Sequence, residues 1–152
     1  MLDLNHTVFF LFVLLGVTAN RLSSPAGLYY DEANQNLYIA NSGSAATVVK
    51  WRIGDTNGTV IAGFPGSAGS SSSRLNTPTG IILDQWQNLY VNDRTNKRIQ
   101  LFCNGNSTAI TIAGAGTGGT TFSQSFDLKL DSRLNLYVSD NLVNRVIKFF
   151  KL

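Results

Sequence analysis

The sequence predicts an all-β chain of about three tandem four-stranded units, and three observations predict it. Similar segments recur at a spacing of about 50 residues. Each is made of short runs rich in Val, Ile, Tyr and Phe, closed by Gly, Asn, Asp or Ser, which is strand chemistry with turn punctuation. No stretch beyond the N-terminus sustains an apolar period of ~3.6 residues, so helices are expected to be absent or trivial.

Composition narrows the functional classes. At 152 residues the chain has the length of one domain. Its 11% aromatic and 14% charged content is the reverse of a disordered chain. A single Cys, Cys103, excludes an internal disulfide framework and any Cys-based zinc module. The one His, His6, precedes the repeats and leaves them without a Ser-His-Asp set or a His-ligated zinc. Gly114, Gly116, Gly118 and Gly119 lie in a Gly-rich stretch that precedes no helix, so neither a dinucleotide nor a P-loop mechanism applies. No cofactor and no metal are expected. An Asn41, Asn92 and Asp93 calcium set is the weak alternative, because these residue types recur for turn reasons alone.

The second unit shows the elements in order. Its strands are expected at Gly80–Asp84, Asn88–Asp93, Arg98–Phe102 and Thr108–Ala113. The first unit begins at Pro25 and the third at Ser125, and their Asn-Leu-Tyr segments start at Asn36, Asn88 and Asn135, 52 and 47 residues apart. Asp84 to Asn88 and Asp131 to Asn135 frame the first turn, where Asp and Asn side chains bond nearby backbone N–H groups. The first unit has one extra residue there, from Asp31 to Asn36. Gly27 and Gly80 are expected where inner strands approach closely; Asp127 takes that place in the third unit. Tyr38, Tyr90 and Tyr137 share one repeat position, and Trp51, Phe102 and Phe149 another, as packing positions.

A repeated four-stranded unit of this length is the pattern of a β-propeller blade. Pro-x-Gly-Ile-x-x-Asp, Asn-Leu-Tyr-Val-x-Asp and Asn-x-Arg-Ile-x-x-Phe, nearly complete from Pro78 to Phe102, resemble the NHL repeat. Ser125 to Phe149 keeps the middle motif and the Arg; Pro25 to Trp51 keeps the front half, with Asn41 and Ala46 in place of the Asp and Arg. The resemblance implies a partial propeller of about three NHL-type blades, over residues 22–63, 75–114 and 123–152 within a 20–152 domain, the last blade lacking its outer strand. NHL domains typically close with six blades. Three ways of completing the ring are open: a longer chain, self-association of two chains, or the N-terminal apolar run as the missing strand.

That run, Val8 to Val17, is about half the ~20 residues of a membrane-spanning helix, so the chain is not expected to span a membrane. It fits the apolar core of a secretory signal, with Val17-Thr18-Ala19 as a cleavage site, although no Lys or Arg precedes it. Residues 1–19 are therefore expected to be a signal peptide or a hydrophobic N-terminal segment. A secreted protein follows from the first, a cytoplasmic one from the second. Asn57 and Asn106 are candidate glycosylation sites.

The turns between second and third strands, with the links between blades, should share one face carrying Arg74, Arg94, Lys97, Arg98 and Arg145. With a net charge of +3, that face is a candidate anion-binding surface; the alternative is that Asp93 with Arg98, and Asp140 with Arg145, clamp their own turns. Trp86, in a first turn, is a further candidate contact residue. The resemblance implies a non-catalytic interaction module binding a protein, peptide or glycan through one face. The alternative is RNA binding through the basic face, as in ubiquitin-ligase-type NHL proteins, here without their Cys/His catalytic module.

Overall fold

The computed structural model describes residues 14–15, 21–115, 117 and 120–151. Apart from Leu14–Leu15, the segment expected to be a leader, residues 1–19, lies outside the described residues. Thirteen strands are described: β1 (Leu14–Leu15), β2 (Arg21–Leu22), β3 (Pro25–Asp31), β4 (Asn36–Asn41), β5 (Thr47–Arg52), β6 (Thr59–Gly63), β7 (Pro78–Leu83), β8 (Leu89–Asp93), β9 (Arg98–Phe102), β10 (Ile110–Gly114), β11 (Ser125–Leu130), β12 (Leu136–Asp140) and β13 (Arg145–Phe149). The one helical piece described is a 3-10 turn at Asn141–Val143.

The strands form three antiparallel sheets, ordered β3-β4-β5-β6, β7-β8-β9-β10 and β11-β12-β13. Each is a blade in which every strand pairs with its neighbour in sequence. β1 and β2 form a separate parallel pair through Leu14 with Arg21 and Leu15 with Leu22. The described part of the apolar run is thus not the outer strand of the last blade, and β13 is an edge among the described residues.

Strand alternation gives every blade two faces, and the apolar sides that face a neighbouring blade pack together. Tyr38, Ala40 and Val48 of blade one pack with Ile81, Leu83, Leu89, Val91 and Phe102 of blade two. The opposite side of blade two offers Ile99 and Ala113, with Ile82 and Tyr90, to Leu128, Leu136 and Val138 of blade three. Phe122, in the link, closes this second junction edge-on to Phe149, with ring centroids 6.1 Å apart.

Close approach sets the inner radius. A Cβ on Gly27 would run into the Thr79 carbonyl oxygen, and one on Gly80 would lie 2.8 Å from Asp127 Cα. At both junctions backbone meets backbone, so only glycine fits. Asp127, at the equivalent position of blade three, meets Gly80 with its backbone and Oδ1, yet its side chain is 59% exposed and has room beside the strand. That is why β11 forms intact without the glycine. Each inner strand also carries a register shift next to this point, between Pro25 and Gly27, Pro78 and Ile81, and Ser125 and Leu128. Bulges there turn the strand ends without breaking the ladder.

The first turns are held by their aspartates. Asp84 Oδ1 accepts the N–H groups of Trp86 and Asn88, and Oδ2 accepts the Asn88 amide and the Tyr90 hydroxyl. Asp131 repeats this with Arg133, Asn135 and Tyr137. The hydrogen bond from the Asn135 side chain, aided by backbone N–H groups, lowers the Asp131 pKa from 3.8 to about 2. A carboxyl depressed in the folded state stabilises above its unfolded pKa and loses that contribution as pH falls through the folded value. Stability from this turn is therefore expected to be complete above pH ~4 and gone below pH ~2. Carboxyl NMR should show Asp131 titrating near the lower value, and the stability gap between wild type and Asp131→Ala should close over the same interval. An Asp131 midpoint at the ordinary carboxylate value would contradict this.

Candidate functional site

One end of the blades gathers the second turns and the inter-blade links. Its framework is a repeated clamp. Asp93 accepts the Asn76 N–H at 2.7 Å, and Asp140 accepts the N–H groups of Ser123 and Gln124. In blade one Asn41 Oδ1 accepts the Ser23 N–H at 2.5 Å. The last strand residue of each second strand thereby fixes the chain entering its own blade.

Arg98 completes the clamp of blade two. Its Nε lies 2.7 Å from Asp93 Oδ2, and its terminal nitrogens donate to the carbonyls of Ser70, Ser71 and Arg74. The pair is nearly sealed, with side chains 9% and 0% exposed. Burial pushes the Asp93 carboxyl up, against the hydrogen bonds from Asn96, Asn76 and Arg98. Arg145 pairs with Asp140 at 3.1 Å and reaches the Thr121 carbonyl, but its side chain is 47% exposed. Burial also works on Asp140, yet the N–H groups of Gln124 and Ser123, with Arg145, bring its carboxyl below the ordinary value.

The ladder register revises the alignment of blade one. Asp93 pairs with Arg98 and Asp140 with Arg145, but Asn41 pairs with Thr47 rather than Ala46. The turn has one extra residue, and Ala46 takes the positive-φ position held by Lys97 and Asn144. Both charges of the clamp are thus replaced together, by Asn41 and Thr47, and both are fully buried. Leaving only one charge there would strand it without a partner.

The remaining basic residues on this end meet aromatics that sequence reasoning missed. The Arg74 guanidinium lies over the Phe64 ring at 5.8 Å, and Arg94 over Phe126 at 4.5 Å. Phe64 and Phe126 are 58% and 41% exposed. Lys97 is exposed in the turn between them. Arg74, Arg94, Lys97 and Arg145 therefore share a rim, while Arg98 is the post that supports it.

Trp86, at 55% exposure, lies in the β7–β8 turn at the opposite end, with the Asp84 clamp. Asn57 and Asn106 are both exposed, in the loops after β5 and β9. Among the described residues no group of three or more His, Cys, Asp or Glu could hold a metal ion. Asn92, one of the weak calcium candidates, bonds Thr79 at 2.7 Å and Ser125 of blade three at 2.6 Å. Among the described residues no helix is long and apolar enough to cross a membrane.

No family model matches the sequence, and no curated protein does. Solved structures match most of the chain. An auxiliary nutrient binding protein of Bacteroides thetaiotaomicron VPI-5482 gives a TM-score of 0.63 at 16% identity, over 80% of this chain and 36% of that one. A gluconolactonase of Xanthomonas campestris gives 0.61 at 17%, over 83% and 37%. A streptogramin B lyase gives 0.55 at 12%, over 85% and 41%. At such identities the likeness shows the fold alone: this is an all-β chain of propeller blades, similar in structure to six-bladed β-propeller proteins. It spans about a third of the length of the first proteins it matches. Their names cover a binding protein and enzymes, so the fold selects neither.

Proposed function

We propose that these are NHL-type blades of a non-catalytic interaction module, which binds an acidic peptide segment of a protein partner across the arginine rim. The observation that carries this reading is the pair of Arg–Phe stacks, Arg74 with Phe64 and Arg94 with Phe126, flanked by Lys97 and Arg145. A stacked guanidinium is held in place and keeps its edge N–H groups for carboxylates. An RNA reading fits less well. Proteins that track nucleic acid make roughly 6–10 phosphate contacts, and this rim has four basic groups, one already paired. The two Phe rings are occupied by arginine rather than presented to bases. A protein, peptide or glycan partner on an exported chain is the wider class, and secretion belongs to the same proposal.

Fluorescence anisotropy with a labelled Asp/Glu-rich peptide and a labelled single-stranded RNA tests it. The peptide is expected to bind, more weakly as salt rises. Arg74→Ala with Arg94→Ala should weaken binding about tenfold or more, worth ~1.4 kcal/mol. Tighter binding of the RNA, or peptide binding indifferent to the double variant, would overturn the reading.

A further inference from the structure

The first inter-blade junction departs from the second at one place, and the departures converge. At the end opposite the arginine rim, blades one and two part to leave a cleft of about 540 Å³. That volume is within the usual range of small-molecule sites, about 300–1,000 Å³. At the junction of blades two and three the matching positions are apolar: Leu101 on the third strand and Leu134 in the first turn. Lys50 and Gln87 take these places at the first junction, and both line the cleft.

The extra residue of the first turn reorganises the rest. Asp31 bonds the Asn34 side chain at 2.8 Å, three residues on, instead of the Asn four residues on that Asp84 and Asp131 hold. In blades two and three the Tyr hydroxyl bonds its own turn aspartate. Tyr38 instead donates across the junction to Gln87 Oε1 at 3.3 Å. On the far wall Asn88 Oδ1 accepts the Asn104 N–H, and Asn106 Oδ1 accepts the Thr108 N–H, so that loop is also held.

We propose that this cleft binds a neutral saccharide. Five carboxamides line it, Asn34, Asn36, Gln87, Asn104 and Asn106. Each carboxamide carries donor and acceptor side by side, the match for adjacent sugar hydroxyls. No lining residue is a carboxylate, and Lys50 adds donors. Val60 and Ile61, both partly exposed, supply apolar surface for the C–H face of a sugar ring. The proposal is independent of the arginine rim. Because Asn106 begins a glycosylation sequon, the saccharide has two sources, free in solution or attached to this chain.

The test is chemical-shift mapping of the full chain, produced without glycosylation, against glucose, galactose, mannose, N-acetylglucosamine and their disaccharides. At least one is expected to shift the side-chain amides of Gln87 and Asn104 saturably, with a Kd of about 1 mM. Lys50→Leu with Gln87→Leu gives this junction the residues of the next one. It should weaken binding at least tenfold, while the melting curve and peptide binding at the rim stay as in wild type. In a glycosylated preparation, the same shifts before any sugar is added would support the attached source. Absence of these shifts in both preparations, or affinity unchanged in the double variant, would overturn the proposal.

Discussion

Replacing Arg98 with Thr is expected to remove about 3–5 kcal/mol of stability, because it leaves the Asp93 carboxylate buried without its cation. Small domains hold only about 5–15 kcal/mol in total, so the variant should be largely unfolded at modest urea concentrations. The cost lies in desolvation. Asp93 is wholly enclosed, and Arg98 also ties down the Ser70, Ser71 and Arg74 carbonyls. Blade one shows the remedy, since Asn41 and Thr47 occupy the same ladder positions with no charge at either. Asp93→Asn with Arg98→Thr should therefore be more stable than Arg98→Thr alone. Urea unfolding of the four members of this cycle checks it. A double variant no better than the single would mean that the loop carbonyls, not the lost ion pair, set the cost.

Gly80→Ala is the second large effect. The added methyl would sit 2.8 Å from both Asp127 Cα and its Oδ1, and backbone cannot move aside as a flexible side chain can. Overpacking of this kind costs roughly 1–3 kcal/mol. The damage should be greatest on the blade-three side, because the methyl would meet Asp127 and Leu128 there, while only the Gly80 Cα lies near Gly27 of blade one. Hydrogen exchange should quicken at β11 and β12 before it does at β3 and β4. Faster exchange spread evenly through all three blades would show that the inner-strand contact does not set the junction.

The blades were legible in the sequence because their causes are local. Alternating apolar residues fix each strand, and the Asp-to-Asn spacing fixes each first turn through bonds within a few residues. The close approach at Gly27 and Gly80 was legible too, as glycine recurring at one repeat position. Ala46 was set in the place of the Arg because an added turn residue shifts the ladder by one, and the hydrogen-bond register puts Thr47 there instead. The rim was legible in charge but not in form. Phe64 comes from a link and Phe126 from a variable position of the repeat motif, so nothing in the motif places them over Arg74 and Arg94. The cleft had a visible signal, the extra residue between Asp31 and Asn36, but its effect runs across blades, through Tyr38 to Gln87.

Face-to-face stacking of the three sheets underlies every site described above, and methyl NOE spectroscopy reads it directly. Cross-peaks are predicted from Ala40 and Val48 to Ile81 and Val91, and from Ile99 and Ala113 to Leu128 and Val138. Cross-peaks confined within each sheet, with none between one sheet and the next, would contradict it.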